Sequence, residues 1–251
     1  MHLLECAGLT KSWGALVAVN KVDLSVSAGE VVALIGPNGA GKTTVFDLIA
    51  GITKKTAGTV SFLGERVDAL NATALARRGL ARTYQITSLF PNLTALENVR
   101  LAVQSREPGR MRPFPSRQKV ESTTQEALTW LSYVKLKGSE TLAGYLAHGD
   151  QRLLEIAVAL ALKPKLLLLD EPTQGMSIEE TRATVDLLKT LLKGKDMAVL
   201  LVEHDLEVVF GLAQRIVVLD RGRKIADGPP AAVRADAAVQ QAYLGVGHVA
   251  H

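Results

Sequence analysis

The chain has 251 residues, enough for one large domain or two modest ones with a sizeable core, and its 47% hydrophobic and 22% charged residues are ordinary for a globular protein. No apolar run approaches the roughly 20 residues that span a bilayer, and the N-terminus shows no basic head leading into an apolar stretch, so neither a membrane span nor a secretory leader is expected. The single cysteine, Cys6, excludes an internal disulfide and suits a reducing cytosol, while a net charge of +4 is too mild to imply a nucleic-acid partner.

Leu3–Leu9, Ala18–Val26 and Val31–Ile35 read as strands, broken by turn signals at Trp13-Gly14 and Ala28-Gly29. On local sequence Trp13 is a core-filling aromatic, with stacking on a flat base as the alternative. Gly36-Pro37-Asn38-Gly39-Ala40-Gly41-Lys42-Thr43-Thr44 then fits G-x-x-x-x-G-K-[ST] without a gap. The apolar run Val31–Ile35 precedes it, and a helix closed by Gly51 follows. In that setting successive backbone N–H groups curl inward around an anion, with a helix dipole behind them. Lys42 can reach β- and γ-phosphates and the Thr43 hydroxyl can ligate Mg²⁺, so the stretch is a nucleotide-binding loop.

Gly58–Gly64 is a short strand between turn signals, Asn71–Arg78 a short helix stopped by Gly79, and Leu80–Gln85 a strand ending in a polar amide. Thr94 or Asn92 can cap a helix running to about Gln104. Ser105–Arg117, with three prolines and four arginines, is a solvated loop and the clearest composition break. Gln118–Val134 resumes a helical pattern. Gln151–Leu162 carries a strong apolar stripe from a glycine start, with Asp150 near its positive end. Residues 86–160 therefore read as an all-helical insertion between parallel strands.

Leu166–Leu169 runs into Asp170-Glu171. Two carboxylates at the end of a buried strand need a partner, because burying unpaired charge is expensive. The glycine-rich loop supplies one: Asp170 can hold Mg²⁺ through water, and Glu171 can polarise an attacking water. Ser177-Ile178-Glu179-Glu180 is a capping box opening a helix that runs to Gly194. Met197–Val202 is an apolar strand ending at Glu203-His204-Asp205, where His204 is placed to reach a γ-phosphate. Ile216–Leu219 and Lys224–Ala226 form a hairpin, and Pro229-Pro230 opens a last helical segment to Leu244-Gly245. There is no internal repeat.

With these residues in place, the chain resembles the ATP-binding subunit of ABC transporters from about Leu3 to Gly245. Gly36–Thr43 matches the Walker A loop, Asp170 ends Walker B, and Glu171 matches the catalytic glutamate. Gln85 matches the Q-loop glutamine, which touches Mg²⁺ and faces the membrane subunit. Leu146-Ala147-His148-Gly149-Asp150 occupies the place of the LSGGQ signature, Gln174–Ser177 that of the D-loop, and His204 that of the switch histidine. Trp13 sits where the family has its adenine-stacking aromatic, which favours stacking over the local reading. The phrases GPNGAGKTTVFDLIAG, RTYQITSLFPNLTALENV, QRLLEIAVALA and DEPTQGMS look like the ATPase subunits of branched-chain amino acid (LIV-type) importers. Two departures stand out: Ala147 and Asp150 replace the signature serine and glutamine, and Ser177 replaces the usual D-loop aspartate.

The resemblance implies one α/β ABC-type P-loop domain: a mostly parallel core sheet, an antiparallel β subdomain and an inserted helical subdomain. Residues 1–85 and 161–228 would form the core and β subdomain, 86–160 the helical subdomain and 229–251 a helical tail. It implies ATP and Mg²⁺ as cofactors, and contact of the nucleotide with Trp13, the loop residues through Thr44, and Ala147–Asp150 of an opposing subunit. It further implies integral membrane permease subunits, a second ATPase subunit and, indirectly, a solute-binding protein as partners. The place of work would be the cytoplasmic face of the cell membrane, as a peripheral subunit. Rival readings are the ATPase of a lipopolysaccharide-type exporter and a soluble ABC ATPase of translation or DNA repair. The latter two usually carry a second cassette or a long coiled-coil insert, and this chain has neither.

Overall fold

The computed structural model describes residues 2–83, 89–106, 116–192 and 197–244; Gln85 and most of the arginine-rich loop lie outside the described residues. Strands of two kinds build two sheets. β1 (His2–Trp13) and β2 (Leu16–Ser27) mix buried and exposed positions, whereas β3 (Val31–Ile35), β7 (Leu166–Asp170) and β8 (Ala198–Val202) are buried at every residue. Strands apolar on both faces belong inside a sheet covered by helices on both sides.

The first sheet has the order β2-β1-β4-β5 and is antiparallel throughout, with β4 at Ala57–Phe62 and β5 at Glu65–Arg66. The second has the order β10-β9-β3-β8-β7-β6. Its strands β6 (Leu80–Arg82), β7, β8, β3 and β9 (Arg215–Asp220) run parallel, and β10 (Arg223–Gly228) returns as a hairpin. Strand period two divides the core. Val32, Leu34, Leu166, Leu168 and Leu200 face α1 (Lys42–Ile49) and the antiparallel sheet. Leu167, Leu169, Val199 and Leu201 face the helices on the other side.

α2 (Ala72–Arg77) precedes β6, and that second layer contains α3 (Ala95–Ser105), α4 (Arg117–Tyr133) and α5 (His148–Ala161), which in chain order lie between β6 and β7. Ala95, Val99, Val103, Ala127, Leu131 and Leu154 meet at their centre, each no more than 2% exposed. Thr94, not Asn92, caps α3: its hydroxyl accepts from Glu97 N at 3.1 Å and Glu97 Oε2 accepts from Thr94 N at 2.8 Å. The Ser177–Glu180 capping box opens α6 (Ile178–Leu192) as expected.

Several boundaries differ from the sequence reading. β1 continues to Trp13 rather than stopping at Leu9, because its pairing with β2 carries on to Trp13 opposite Leu16. α5 starts at His148, three residues earlier than its apolar stripe, with Ala147 as N-cap. A short helix, α7 (Leu206–Leu212), follows β8 and was not expected. The last segment is two helices, α8 (Pro230–Ala235) and α9 (Ala237–Leu244), split where Asp236 Oδ1 accepts from Ala238 N at 2.8 Å.

One arginine joins the two sheets. Arg215, at the start of β9, donates to the Ser25 carbonyl in β2, to Glu30 Oε1 at 2.7 Å and to Asp227 Oδ1 in β10 at 2.8 Å. Burial pushes both acids up, but their hydrogen bonds and charge contacts, with Arg215 in each set, hold both below the usual carboxylate range. Carboxylates with lowered folded values contribute stability above their unfolded values near about 4, and that stability is lost as pH falls through the folded values. Denaturant melts of the wild type should therefore weaken below about pH 4. Arg215→Met should flatten that part of the profile while lowering stability at neutral pH.

Candidate active site

β3 ends at Ile35, and the chain must turn at once beneath neighbouring backbone. Gly36 has φ +151°, and a Cβ there would lie 2.1 Å from the Leu219 carbonyl oxygen. Gly41 has φ +100°, and a Cβ there would lie 2.5 Å from the Ala18 carbonyl oxygen. Only glycine fits either place. Gly41 is the N-cap of α1 and supplies no side-chain hydrogen bond, so the first-turn N–H groups are left for an anion. Asn38, Gly39 and Thr43 are exposed along the loop, while Ala40 and Lys42 are buried.

Lys42 folds back over its own loop, donating from Nζ to the Gly36 and Pro37 carbonyls at 2.7 and 3.1 Å. Burial lowers its pKa, and the charges of Glu171 and Asp170 oppose that shift. The ammonium is thus held near the two acids by a tether that a phosphate can replace.

β8 lies between β3 and β7, so the loop, the acid pair and His204 all emerge at the carboxyl ends of three adjacent parallel strands. Such an edge is where ligands bind in open α/β sheets. Asp170 is 3% exposed. Burial pushes its pKa up, and the Arg82 guanidinium, 3.0 Å from Oδ2, works against that shift. Arg82 also pairs with Asp47 of α1 at 2.6 Å and lies 5.6 Å from the Phe46 ring. It therefore ties the helix behind the glycine-rich loop to the strand carrying Asp170. Thr83 Oγ1 accepts from Asp170 N at 3.2 Å, fixing that strand end from the other side.

Glu171 takes the left-handed conformation, φ +49°, which is costly for a residue with a side chain. Its N–H still donates to Val202 O at 2.9 Å, the last rung between β7 and β8. Its Oε1 lies 2.7 Å from His204 Nε2, with the carboxylate buried and the imidazole half exposed. Glu171 and His204 line an open cleft of about 280 Å³ with Ala18 and the loop from Asn38 to Thr44. Of the expected residues, Asn38–Thr44, Glu171 and His204 line this cleft, while Gly36, Pro37 and the buried Asp170 do not.

The residues fit MgATP. The cradle of N–H groups suits a polyphosphate, and Thr43 with Asp170 offers one hydroxyl and one carboxylate to a hard cation. Among the described residues no cluster of three or more His, Cys, Asp or Glu could hold a metal by itself. One hydroxyl with one carboxylate suits Mg²⁺, which takes few protein ligands and keeps water and substrate phosphates around it.

Trp13 and Ala147–Asp150 do not line the cleft. Trp13, at the tip of the β1–β2 hairpin, is 49% exposed with Lys11 Nζ 4.9 Å from its ring centroid. Core filling is therefore wrong: the pairing runs past the packed part of the sheet, and Leu16 and Val17 beside it are exposed too. Ala147 and His148 are exposed at the start of α5, and Gly149 is buried. This turn packs on the loop before α6. A Cβ at Gly149 would lie 2.6 Å from Glu180 Oε1, and one at Gly175 would lie 2.9 Å from His148 Cε1. Gln151 Nε2 holds the turn by donating to the Leu146 carbonyl at 3.1 Å.

Sequence reasoning missed Arg82, Asp47, Thr83, Glu203 and Tyr243. An arginine in an otherwise apolar strand was a readable signal for Arg82, and an acid directly after Met197–Val202 for Glu203. Tyr243 on α9 is hydrogen bonded to the Gly36 backbone, and burial pushes its phenol up to about 12. Nothing local marks it.

A family profile described as "ABC transporter" matches residues 19–174, and one described as "Branched-chain amino acid ATP-binding cassette transporter" matches residues 223–249. The chain is 39% identical over 250 residues to the high-affinity branched-chain amino acid transport ATP-binding protein BraF of Pseudomonas aeruginosa, covering 97% of this chain and 98% of that one. LivG of Escherichia coli K12, with the same description, is 37% identical over 249 residues, at 97% and 98% coverage. The lipopolysaccharide export system ATP-binding protein LptB of the same strain is more distant, 31% identical at 98% coverage of each chain. Among solved structures, the ADP conformation of MJ1267, an ATP-binding cassette of an ABC transporter, superposes with a TM-score of 0.83. It is 27% identical, over 98% of this chain and 99% of that one. A dimeric post-hydrolysis structure of the cassette MJ0796, bound to ADP and Pi, gives a TM-score of 0.80 at 28% identity, over 90% and 98%.

Proposed function

The chain belongs to the ABC transporter family of ATP-binding cassettes, and from that premise we propose that it binds MgATP, closes against a second cassette and drives an importer of branched-chain amino acids or a related small polar solute. It is an ATP-binding and ATP-hydrolysing subunit. The greater similarity to BraF and LivG than to LptB favours import over lipopolysaccharide export. The branched-chain profile at residues 223–249 points the same way.

One observation carries the chemical reading: Glu171 Oε1 and His204 Nε2 lie 2.7 Å apart, facing the lysine loop. In this reading Glu171 orients and polarises the attacking water, while Lys42 and His204 steady the γ-phosphate. Thr43, Asp170 and Gln85 would hold Mg²⁺, which would neutralise charge on the phosphates. Trp13, exposed at the tip of the β1–β2 hairpin, stacks on the adenine, and Gly36–Thr44 cradles the phosphates. Ala147, His148, Gly149 and Asp150 complete the opposing subunit's site.

We further assign the helical region, 86–160, to docking on integral membrane permease subunits. Among the described residues no helix is long and apolar enough to cross a membrane. Phe90 and Tyr145 are large and exposed, at 58% and 82%, and their segments are joined by backbone hydrogen bonds between Pro91–Leu93 and Ala143–Gly144. Asn98, 3% exposed, accepts from Phe90 N at 2.8 Å and donates to the Phe90, Leu93 and Thr94 carbonyls, so this edge is stiff. Residues 1–85 and 161–228 then form the motor core and 229–251 its tail. A peripheral place on the cytoplasmic face, with a solute-binding protein acting through the permease, completes the proposal.

Glu171→Gln should keep MgATP affinity while slowing hydrolysis by about 10²–10⁴-fold, measured by nucleotide binding and phosphate release. Near-normal turnover would place the chemistry elsewhere. Photo-cross-linking from Phe90 or Asn92 in native membranes should trap an integral membrane protein, and recovery of soluble partners alone would refute the docking assignment. The altered signature should limit a homodimer. Ala147 lacks a hydroxyl whose bond to a charged acceptor is worth about 1.5–3 kcal/mol, and Asp150 adds like charge near the phosphates. Ala147→Ser/Asp150→Gln should raise the ATPase rate about tenfold and tighten ATP-dependent dimerisation. No gain in either would mean that the signature is not the limit.

A further inference from the structure

Glu203 is a buried acid that the chemistry above does not use. It is 5% exposed, immediately after the last residue of β8. Its Oε1 accepts from both donors of Thr173, N at 2.9 Å and Oγ1 at 2.5 Å, and its Oε2 accepts from His204 N at 3.0 Å. A carboxylate taken out of water costs several kcal/mol unless donors surround it. Here the donors are the backbone and hydroxyl of the two turns that carry the reacting pair.

The ladder between β7 and β8 ends at the bond from Glu171 N to Val202 O. Beyond that rung the Glu203 carboxylate bridges the two turns. The result is a closed ring: Glu171, Pro172, Thr173, the Glu203 carboxylate, His204, and back through the 2.7 Å contact to Glu171. Pro172 removes slack from the ring because its φ is fixed. The half-exposed His204 ring cannot be held by packing alone. The same Thr173 opens the turn to Met176, whose N–H donates to Thr173 O at 3.2 Å, and Gly175 in that turn packs on His148.

We propose that Glu203 is a positioning residue for ATP hydrolysis, whose buried carboxylate joins the Thr173 turn to the His204 backbone and so sets the Glu171–His204 contact. This rests on the ATPase reading above. Glu203→Gln keeps shape and removes one acceptor. The Gln amide must then point its NH₂ at the Thr173 or the His204 N–H, and neither backbone donor can turn away.

The test is a double-mutant cycle on the full chain, with phosphate release and fluorescent-nucleotide binding measured at protein concentrations that allow dimerisation. Glu203→Gln should lower kcat about tenfold to a hundredfold with KM for ATP within about twofold, and remain folded by circular dichroism. In the His204→Ala background the same change should cost less than about twofold, because the contact it sets is already gone. Glu203→Asp, keeping the charge on a shorter arm, should fall between wild type and Gln. Full activity of Glu203→Gln would overturn the proposal. An equal loss in both backgrounds would overturn it too, since Glu203 would then act on the fold rather than through His204. Wild-type protein that binds nucleotide but releases no phosphate would refute the ATPase reading itself, and the proposal with it.

Discussion

Three fully buried strands, β3, β8 and β7, stop side by side, and the chemistry of the protein depends on where they stop. Parallel pairing leaves their carboxyl ends on one edge, so a glycine loop, a histidine and two acids separated by as many as 168 positions in sequence meet across three adjacent strands. Apolar burial on both faces fixes that register: a slip of one residue would exchange the leucines facing α1 for those facing the helical layer. Core packing places the strand ends of the site, and polar contacts hold the side chains beyond them.

Those polar contacts also let charge persist in a dry place. Lys42, Asp170, Glu171 and Glu203 are all less than a tenth exposed, yet each has a specific partner: loop carbonyls, Arg82, His204, or the donors of Thr173. Each pairing also bridges two elements, so removing one member would disturb position as well as charge. Arg82 shows this best, since it joins α1, β6 and β7 through one planar group.

Much of this was legible in the residues. Val31–Ile35, Leu166–Leu169 and Met197–Val202 could only be buried strands, and the loop pattern between strand and helix named its ligand. Thr94 with Glu97, and Ser177 with Glu180, announced their helices by reciprocal capping. Other features escaped for physical reasons. α7 has seven residues, too few to display a helical period, and the break between α8 and α9 rests on the Asp236 cap inside one continuous alanine-rich run. The exposure of Trp13 depends on how far β1 pairs with β2, which no window around Trp13 contains. Arg82 has partners 35 and 88 positions away, and Tyr243 touches a glycine at the other end of the chain. Such contacts belong to the tertiary fold alone.

The strand order has a consequence for how the protein is made. β3 pairs only with β8 and β9, so a growing chain that has emitted the glycine loop has nothing for that strand to pair with until residues 198–220 emerge. The carbonyl that crowds Gly36 belongs to Leu219, and the tyrosine bonded to its backbone is residue 243. The nucleotide pocket therefore cannot form until residues 198–220 have been made. Closing such distant contacts is slow, and it leaves apolar strands uncovered until those residues arrive. The local structure open to the nascent chain before then is the β1–β2 hairpin, followed by its pairing with β4, which needs nothing beyond residue 62. A newly emerged β3 thus finds an antiparallel sheet to lie against long before it finds its own neighbours.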